Sequence, residues 1–359
     1  MPETLTAEKF LAISDHVPTI DVRSPSEFQA GHITGAMNVP LFDDDQRAKV
    51  GIAYKQRGSE EAVVDGLEIV GPKMAGFVRL VKGVLEKRDE NAADGDAEDR
   101  RVRVHCWRGG MRSQSFAWLM EQASLEPLVL EGGYKGYRNT VHQTFESQHN
   151  LMVLSGLTGA GKTKYLHLLK SRGEQVIDLE GLAVHRGSAF GGVGLGAQPT
   201  TESFENQLFH ELQIQDNSKR IWVEDEGNRI GSVNVPKAFY QQIRYAPAVF
   251  IDASIERRLD HLLEVYGDLD LSGLAYSVEK IRKRLGGQHV AAALEALEKQ
   301  DFRTAARIVL QYYDKTYMKA VEKMPRDLMA QFSAEGLDDP AVVEMILSTA
   351  DANDHQNVG

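Results

Sequence analysis

Cysteine is almost missing from this sequence: Cys106 is the single thiol in 359 residues. That excludes an internal disulfide framework and any four-cysteine zinc site, and it suits a reducing compartment. No apolar run reaches the roughly 18 residues a membrane helix needs. The opening Met1-Pro2-Glu3-Thr4 carries neither the basic nor the apolar stretch of a secretion signal, so the sequence predicts a cytoplasmic protein with no membrane partner. Positive charge is also short, 41 Lys+Arg against 52 Asp+Glu for a net −11, which argues against a simple nucleic-acid binder. The deficit is uneven, because residues 325–359 hold one Arg and seven Asp/Glu and leave only −5 for the rest. A local basic face is therefore compatible with the composition. Apolar side chains are not short: 42% hydrophobic and 26% charged residues exclude general disorder. At ~150 residues per domain the length predicts two or three domains.

Short β-branched runs at 19–22 and 102–105 end in polar loops and are followed by helical patterns from Ser24 and over 113–122. That alternation predicts a parallel α/β sheet. A third run covers 127–130, the small acidic stretch 91–99 reads as a surface loop, and the linker falls near 140–150. A second α/β unit follows, with strands predicted at 151–154, 175–178, 220–223 and 248–251. Beyond Leu274 the pattern turns helical, with periodic stretches at 291–297, 303–312 and 341–347.

Gly156-Leu-Thr158-Gly159-Ala160-Gly161-Lys162-Thr163 follows an apolar strand and opens a helical pattern. It satisfies both the spacing and the context of a phosphate-binding loop of the form G-x-x-x-x-G-K-[ST]. Successive N–H groups would face a phosphate, Lys162 would supply a point charge, and Thr163 could hold Mg²⁺. Any diphosphate fits such a cradle. Glu224-Asp225-Glu226 lies at the end of the 220–223 strand, where a metal-binding acid would sit, so Thr163 and Asp225 are the candidate Mg²⁺ ligands. No tightly bound cofactor is expected beyond that ion. Arg257 and Arg258 follow the next strand as basic residues do in many small P-loop kinases, or form an ordinary solvated helix face.

The lone cysteine sits in Val104-His105-Cys106-Trp107-Arg108-Gly109-Gly110-Met111-Arg112-Ser113, after a strand and before a helix. Loop N–H groups and a helix dipole at that position favour a thiolate. Cys106, Arg108 and Arg112 are the candidate catalytic residues. His105 either tunes the thiol or is a satisfied loop histidine, and Trp107 either packs on a substrate or is structural. Two chemistries share this cradle. The H-C-x5-R-[ST] spacing matches cysteine-dependent phosphatases, in which the thiolate attacks phosphorus; the competing chemistry is sulfur or selenium transfer.

Upstream, Ile20-Asp21-Val22-Arg23-Ser24-Pro25-Ser26-Glu27-Phe28 and Gly31-His32-Ile33-Thr34-Gly35-Ala36-Met37-Asn38-Val39-Pro40 resemble the two N-terminal signatures of the rhodanese family. Arg112 falls six residues after Cys106, one more than is common in sulfurtransferases, which implies a wider pocket. With a phosphate loop joined to it, the chain resembles the bacterial tRNA 2-selenouridine synthases over roughly residues 5–320. The similarity continues through Val50–Lys55, Glu131-Gly-Gly-Tyr-Lys-Gly-Tyr-Arg138, His185-Arg-Gly-Ser-Ala-Phe-Gly191, Glu224–Glu226 with Arg229-Ile-Gly231, and Tyr312-Tyr-Asp314. The resemblance implies a selenotransferase and geranyltransferase. Geranyl from geranyl diphosphate is placed on the sulfur of wobble 2-thiouridine in tRNA, and the S-geranyl group is then replaced by selenium from selenophosphate. It also implies a link to the enzyme that makes selenophosphate.

The expected architecture is a rhodanese-like parallel-sheet domain at 1–140, a P-loop α/β domain at 150–275, and a helical region with an acidic tail at 276–359. The diphosphate would sit on Gly156, Thr158, Gly159, Ala160, Gly161, Lys162 and Thr163, and the geranyl tail in an apolar groove lined by the Gly-rich 189–195 segment. The candidate tRNA footprint is Lys280, Arg282, Lys283 and Arg284, with Lys164, Arg172 and Arg244. The acidic tail is expected to project away or stay mobile. A cysteine phosphatase fused to a P-loop kinase-like domain is the alternative, and a regulatory tRNA-binding module is a third class.

Overall fold

The computed structural model describes residues 2–89, 99–266, 271–321 and 329–356. Most of the acidic loop expected at 91–99 lies outside these. The chain divides into two compact units, residues 1–144 and 145–359, and the division falls within the helix Gly133–Glu146. Among the described residues no helix is long and apolar enough to cross a membrane.

The first unit is built on a parallel sheet of β1 (Glu3–Leu5), β2 (Thr19–Asp21), β3 (Met37–Asn38), β4 (Arg101–His105) and β5 (Glu126–Leu130), in the order β1-β5-β4-β2-β3. All of β2 and all but the first residue of β4 are buried, as expected for a parallel sheet covered on both faces. Ile20, Val22, Val102, Val104 and Cys106 share one core with Phe77, Phe116 and Met120 from the flanking helices. The cysteine is therefore the last member of an apolar row along β4, one step past the strand's carboxyl end.

The second unit is a parallel sheet of β6 (Leu151–Gly156), β7 (Gln175–Ile177), β8 (Ile221–Glu224), β11 (Ala248–Asp252) and β12 (Met329–Ser333), in the order β12-β11-β6-β8-β7. A two-stranded hairpin, β9 (Arg229–Ile230) with β10 (Val233–Asn234), is separate from it. Central β6 is buried throughout. The helices Leu271–Lys280, Gly287–Glu298 and Phe302–Val321 form a helical cluster whose core includes Leu274, Val278, Leu297 and Val309.

Two features depart from the sequence reading. The expected helical C-terminal region also contains a strand, β12, which pairs in parallel with β11 as an edge strand. The acidic tail does not project away: the helix Asp339–Gln356 buries Val342, Val343, Ile346 and Ala350 against Leu154, Trp222 and Phe332. Burying each larger side chain contributes about 1.5–3 kcal/mol, and that outweighs the tail's charge.

Candidate functional site

In the first unit β4 delivers Cys106 to a loop that ends at Gly110, the N-cap of the helix Met111–Gln122. The thiol is buried at 3% exposure and lies 3.2 Å from Ser113 Oγ, whose hydroxyl also donates to Gly110 O. The loop is shaped from behind by the Glu131-to-Arg138 segment. The first N–H groups of the helix Gly133–Glu146 need acceptors from outside the helix, and Tyr134 N and Lys135 N donate to Cys106 O and Trp107 O at 2.8 and 2.9 Å. This approach leaves no room at Gly133 (φ +58), where a Cβ would lie 2.4 Å from Cys106 O and 2.3 Å from Gly109 N.

Beneath the loop, Arg23 holds Asp21 through Nε and Nη2, donates to Gly31 O, and stacks 3.8 Å from the Tyr134 ring centre. His105 points away from the thiol, as neighbours on a strand do, and lies 3.8 Å from Asp21 Oδ2. Burial pushes it down to about 4 against the pull of Asp21, so it is neutral at pH 7. Trp107 is partly exposed, 5.9 Å from the Tyr134 ring. Arg108 is exposed. Arg112 instead donates to Glu27 at 2.8 and 3.3 Å. Burial works against charge on Glu27, but the bonds and charge of Arg112 together with Ser24 N–H and Arg47 hold its carboxyl below the usual range. The sequence reading placed Glu27 in a motif without assigning it this partner.

In the second unit, β6 leads into the phosphate loop and Gly161 (φ +82) caps the helix Lys162–Ser171. A Cβ on Gly161 would meet the Tyr165 ring at 3.1 Å as well as straining the turn. Lys162 Nζ donates to Gly156 O. Thr163 Oγ1 donates to Glu180 Oε2 at 2.9 Å, while Asp225 accepts from Ser155 Oγ at 2.8 Å. Thr163, Asp225 and Glu180 all line the same cavity, so Glu180 joins the two expected Mg²⁺ ligands as a third candidate oxygen donor. The acid arrives from just beyond β7, a position that no spacing in the sequence announced. Glu224 is fully buried and accepts from Leu179 N. Burial, then the charges of Asp178 and Glu180, raise its pKa well above normal. Burial and Glu180 likewise raise Glu226, which keeps a partly open surface. No group of three His, Cys, Asp or Glu side chains set to hold a metal occurs among the described residues.

The loop opens into a cavity of about 510 Å³ lined by Thr158, Gly159 and Gly161–Lys164, by Glu180, Asp225 and Glu226, and by Arg186, Arg244 and His261. Arg186 and His261 are site candidates that the sequence reading missed; only Arg186 lay in a quoted motif. Beside this cavity is an apolar chamber that shares Thr158, Ser188, Leu262, Tyr266 and Tyr313 with it. Phe190, from the Gly-rich segment expected to line a groove, is on the chamber wall. Ala189 N is anchored to Tyr313 Oη at 2.8 Å.

The other basic candidates separate. Arg258 is buried, binds Asp314 through both Nη atoms and donates to Thr158 O, while Arg257 donates to Ala334 O and Leu337 O. Both hold the fold together, and the buried Arg258 is not part of a solvated helix face. Lys280, Arg282, Lys283 and Arg284 are exposed, with Arg282 bonded to Glu279. Lys164 and Arg172, however, are paired with Asp339 and Glu344 of the C-terminal helix. Arg244 lines the phosphate cavity.

Residues 149–272 match the family model described as the tRNA 2-selenouridine synthase AAA domain, and residues 6–140 match the rhodanese-like domain model. The chain is 33% identical over 348 residues to the tRNA 2-selenouridine synthase of Shewanella pealeana, covering 87% of this chain and 91% of that one. It is 38% identical over 263 residues to that of Nitrosomonas europaea, covering 71% and 65%. With a rhodanese-like unit carrying Cys106, a P-loop unit carrying Lys162 and relatives that match across both, the chain belongs to the tRNA 2-selenouridine synthase family.

Proposed function

We propose that the chain modifies wobble 2-thiouridine in tRNA by two transfers, geranyl first and selenium second. The observation that carries this reading is the junction of a cationic phosphate cavity with an apolar chamber. A diphosphate on Gly156–Thr163 would put a hydrocarbon tail at that junction. In the first transfer the thiocarbonyl sulfur attacks C1 of geranyl diphosphate. The C–S bond forms as the C1–O bond breaks with its electron pair on diphosphate, and N3 of the base loses its proton. Lys162, the loop N–H groups and the helix N-terminus offset the charge growing on the leaving group. Mg²⁺ at such a site takes one or two protein oxygens with phosphate and water, and Thr163 with Asp225 or Glu180 are the residues that would hold it; bound there it would add further neutralisation. Nucleotide hydrolysis contributes nothing to this step.

In the second transfer the selenium of selenophosphate attacks C2 of the S-geranylated base. The C–Se bond forms, the C–S pair leaves as geranylthiolate and takes up a proton, and water then cleaves P–Se to release phosphate. The Cys106 loop is the candidate selenophosphate site, with its thiol as a soft sulfur for selenium, Arg108 exposed beside it to supply charge, and Arg112 able to do so on leaving Glu27. The exposed 280–284 cluster suits tRNA phosphates. Family membership favours this reading over a phosphatase joined to a kinase-like domain. Mass spectrometry of tRNA nucleosides from a strain lacking the gene tests it: loss of 2-selenouridine is expected, and an unchanged profile contradicts it.

A further inference from the structure

The apolar chamber has a ruled wall. Six of its lining residues, Phe302, Ala305, Ala306, Val309, Leu310 and Tyr313, come from the helix Phe302–Val321. Their spacing of alternating threes and ones puts them on one face of that helix. Tyr313 also lines the phosphate cavity, and the other five do not. The stripe therefore starts at the phosphate end and runs away from it for about 16 Å at the helical rise. Along this path the wall is bulky at Val309 and Leu310, recedes to methyl groups at Ala305 and Ala306, and ends on the Phe302 ring, which packs against the core of the helical cluster. Leu262, Leu274 and Leu297 face it from neighbouring helices.

We propose that this stripe sets the length of the isoprenyl chain the enzyme accepts, with Ala305 and Ala306 making room for the tail and Phe302 stopping it. The inference rests on the reading of the P-loop as an isoprenyl diphosphate site and adds a specificity determinant to it. Chain-length choice follows because each isoprene unit is all apolar surface: the chamber encloses about 80 Å³ as it stands, so each added unit must open the wall further, and a tail that reaches Phe302 meets the ring. A pocket change of this size shifts discrimination roughly tenfold or more.

The test measures transfer from dimethylallyl, geranyl and farnesyl diphosphates to tRNA containing 2-thiouridine, using the full-length enzyme and reading kcat/KM for each donor. The wild type is expected to prefer geranyl over farnesyl. Phe302→Ala should raise the farnesyl-to-geranyl ratio at least about tenfold, and the milder Phe302→Leu should raise it less. Ala306→Phe should lower the geranyl-to-dimethylallyl ratio by a similar factor. If the wild type transfers geranyl but the variants leave all donor ratios unchanged, the stripe is not the gauge. If the wild type transfers no isoprenyl group from any donor, the underlying reading of the P-loop falls and this inference falls with it. Phe302→Leu and Ala306→Phe keep the question answerable should Phe302→Ala fail to fold.

Discussion

Replacing Gly133 by alanine should disable the cysteine loop without touching a residue that bears a reactive group. The new methyl would sit 2.3 Å from Gly109 N, 2.4 Å from Cys106 O and 2.8 Å from Arg108 N. All three are backbone atoms, so no side chain can rotate away and the loop itself must move. A left-handed φ on a residue with a Cβ costs about 1–2 kcal/mol, and overpacking a tight site costs about 1–3 kcal/mol more. For a unit of this size each kcal/mol is worth roughly 3 °C, so the first unit should melt about 6–15 °C lower. Gly110→Ala is the matched control, because a Cβ there meets nothing within 4 Å, and its melting temperature should fall only by the small cost of alanine at an N-cap, well short of the loss in Gly133→Ala. In a two-step assay Gly133→Ala should form S-geranylated tRNA and accumulate it, with selenium incorporation down at least about tenfold, as for misplaced reacting groups. Equal melting temperatures for Gly133→Ala and Gly110→Ala, or normal selenium incorporation in Gly133→Ala, would refute the packing argument.

Cys106→Ser should abolish selenium incorporation while S-geranylated tRNA still forms; normal 2-selenouridine in that variant, read by nucleoside mass spectrometry, would remove the cysteine from the second step. Lys162→Ala should cut geranylation at limiting geranyl diphosphate by roughly a hundredfold, the scale of one lost electrostatic contact to a developing anion, and steady-state kinetics would show it. Glu27→Gln should weaken the first unit in a pH-dependent way. Because the Glu27 carboxyl is held below its ordinary value of 4.5 in the fold, its contribution is complete above that value and is lost as pH falls below it. Urea melts of wild type and variant should therefore differ at pH 7 and converge towards pH 3. Ile346→Ala should cost the second unit about 2–5 kcal/mol, because Ile346 is fully buried on the sheet; a change under 0.5 kcal/mol would mean that the C-terminal helix does not dock.

Most interior strands were legible because they are nearly continuous apolar runs: β5, β6, β8 and β11 each appear in the sequence as such a run. What escaped was the sheet margin. β1 and β3 are short and largely uncovered, and β12 lies among helices, so none carries a strand's periodic signature. The two loops were readable because their chemistry is local. Their partners were not: Glu27 reaches Arg112 across 85 residues and Glu180 reaches Thr163 across 17, distances that only the folded sheet closes. The tail misled because its net charge was weighed as a whole. Three of its acids, Asp339, Glu344 and Asp351, pair with Lys164, Arg172 and Arg220, while Val342, Val343 and Ile346 face the sheet.

The claim that most distinguishes this account is that a nucleotide-type phosphate loop holds an isoprenyl diphosphate. Purified enzyme, stripped of nucleotide, should be incubated with 2-thiouridine tRNA and geranyl diphosphate, with and without a non-hydrolysable ATP analogue, and the nucleosides analysed by mass spectrometry. The account predicts S-geranyl-2-thiouridine with no nucleotide added, and inhibition by the analogue only through competition for the cradle. Strict dependence of geranylation on ATP hydrolysis would contradict it.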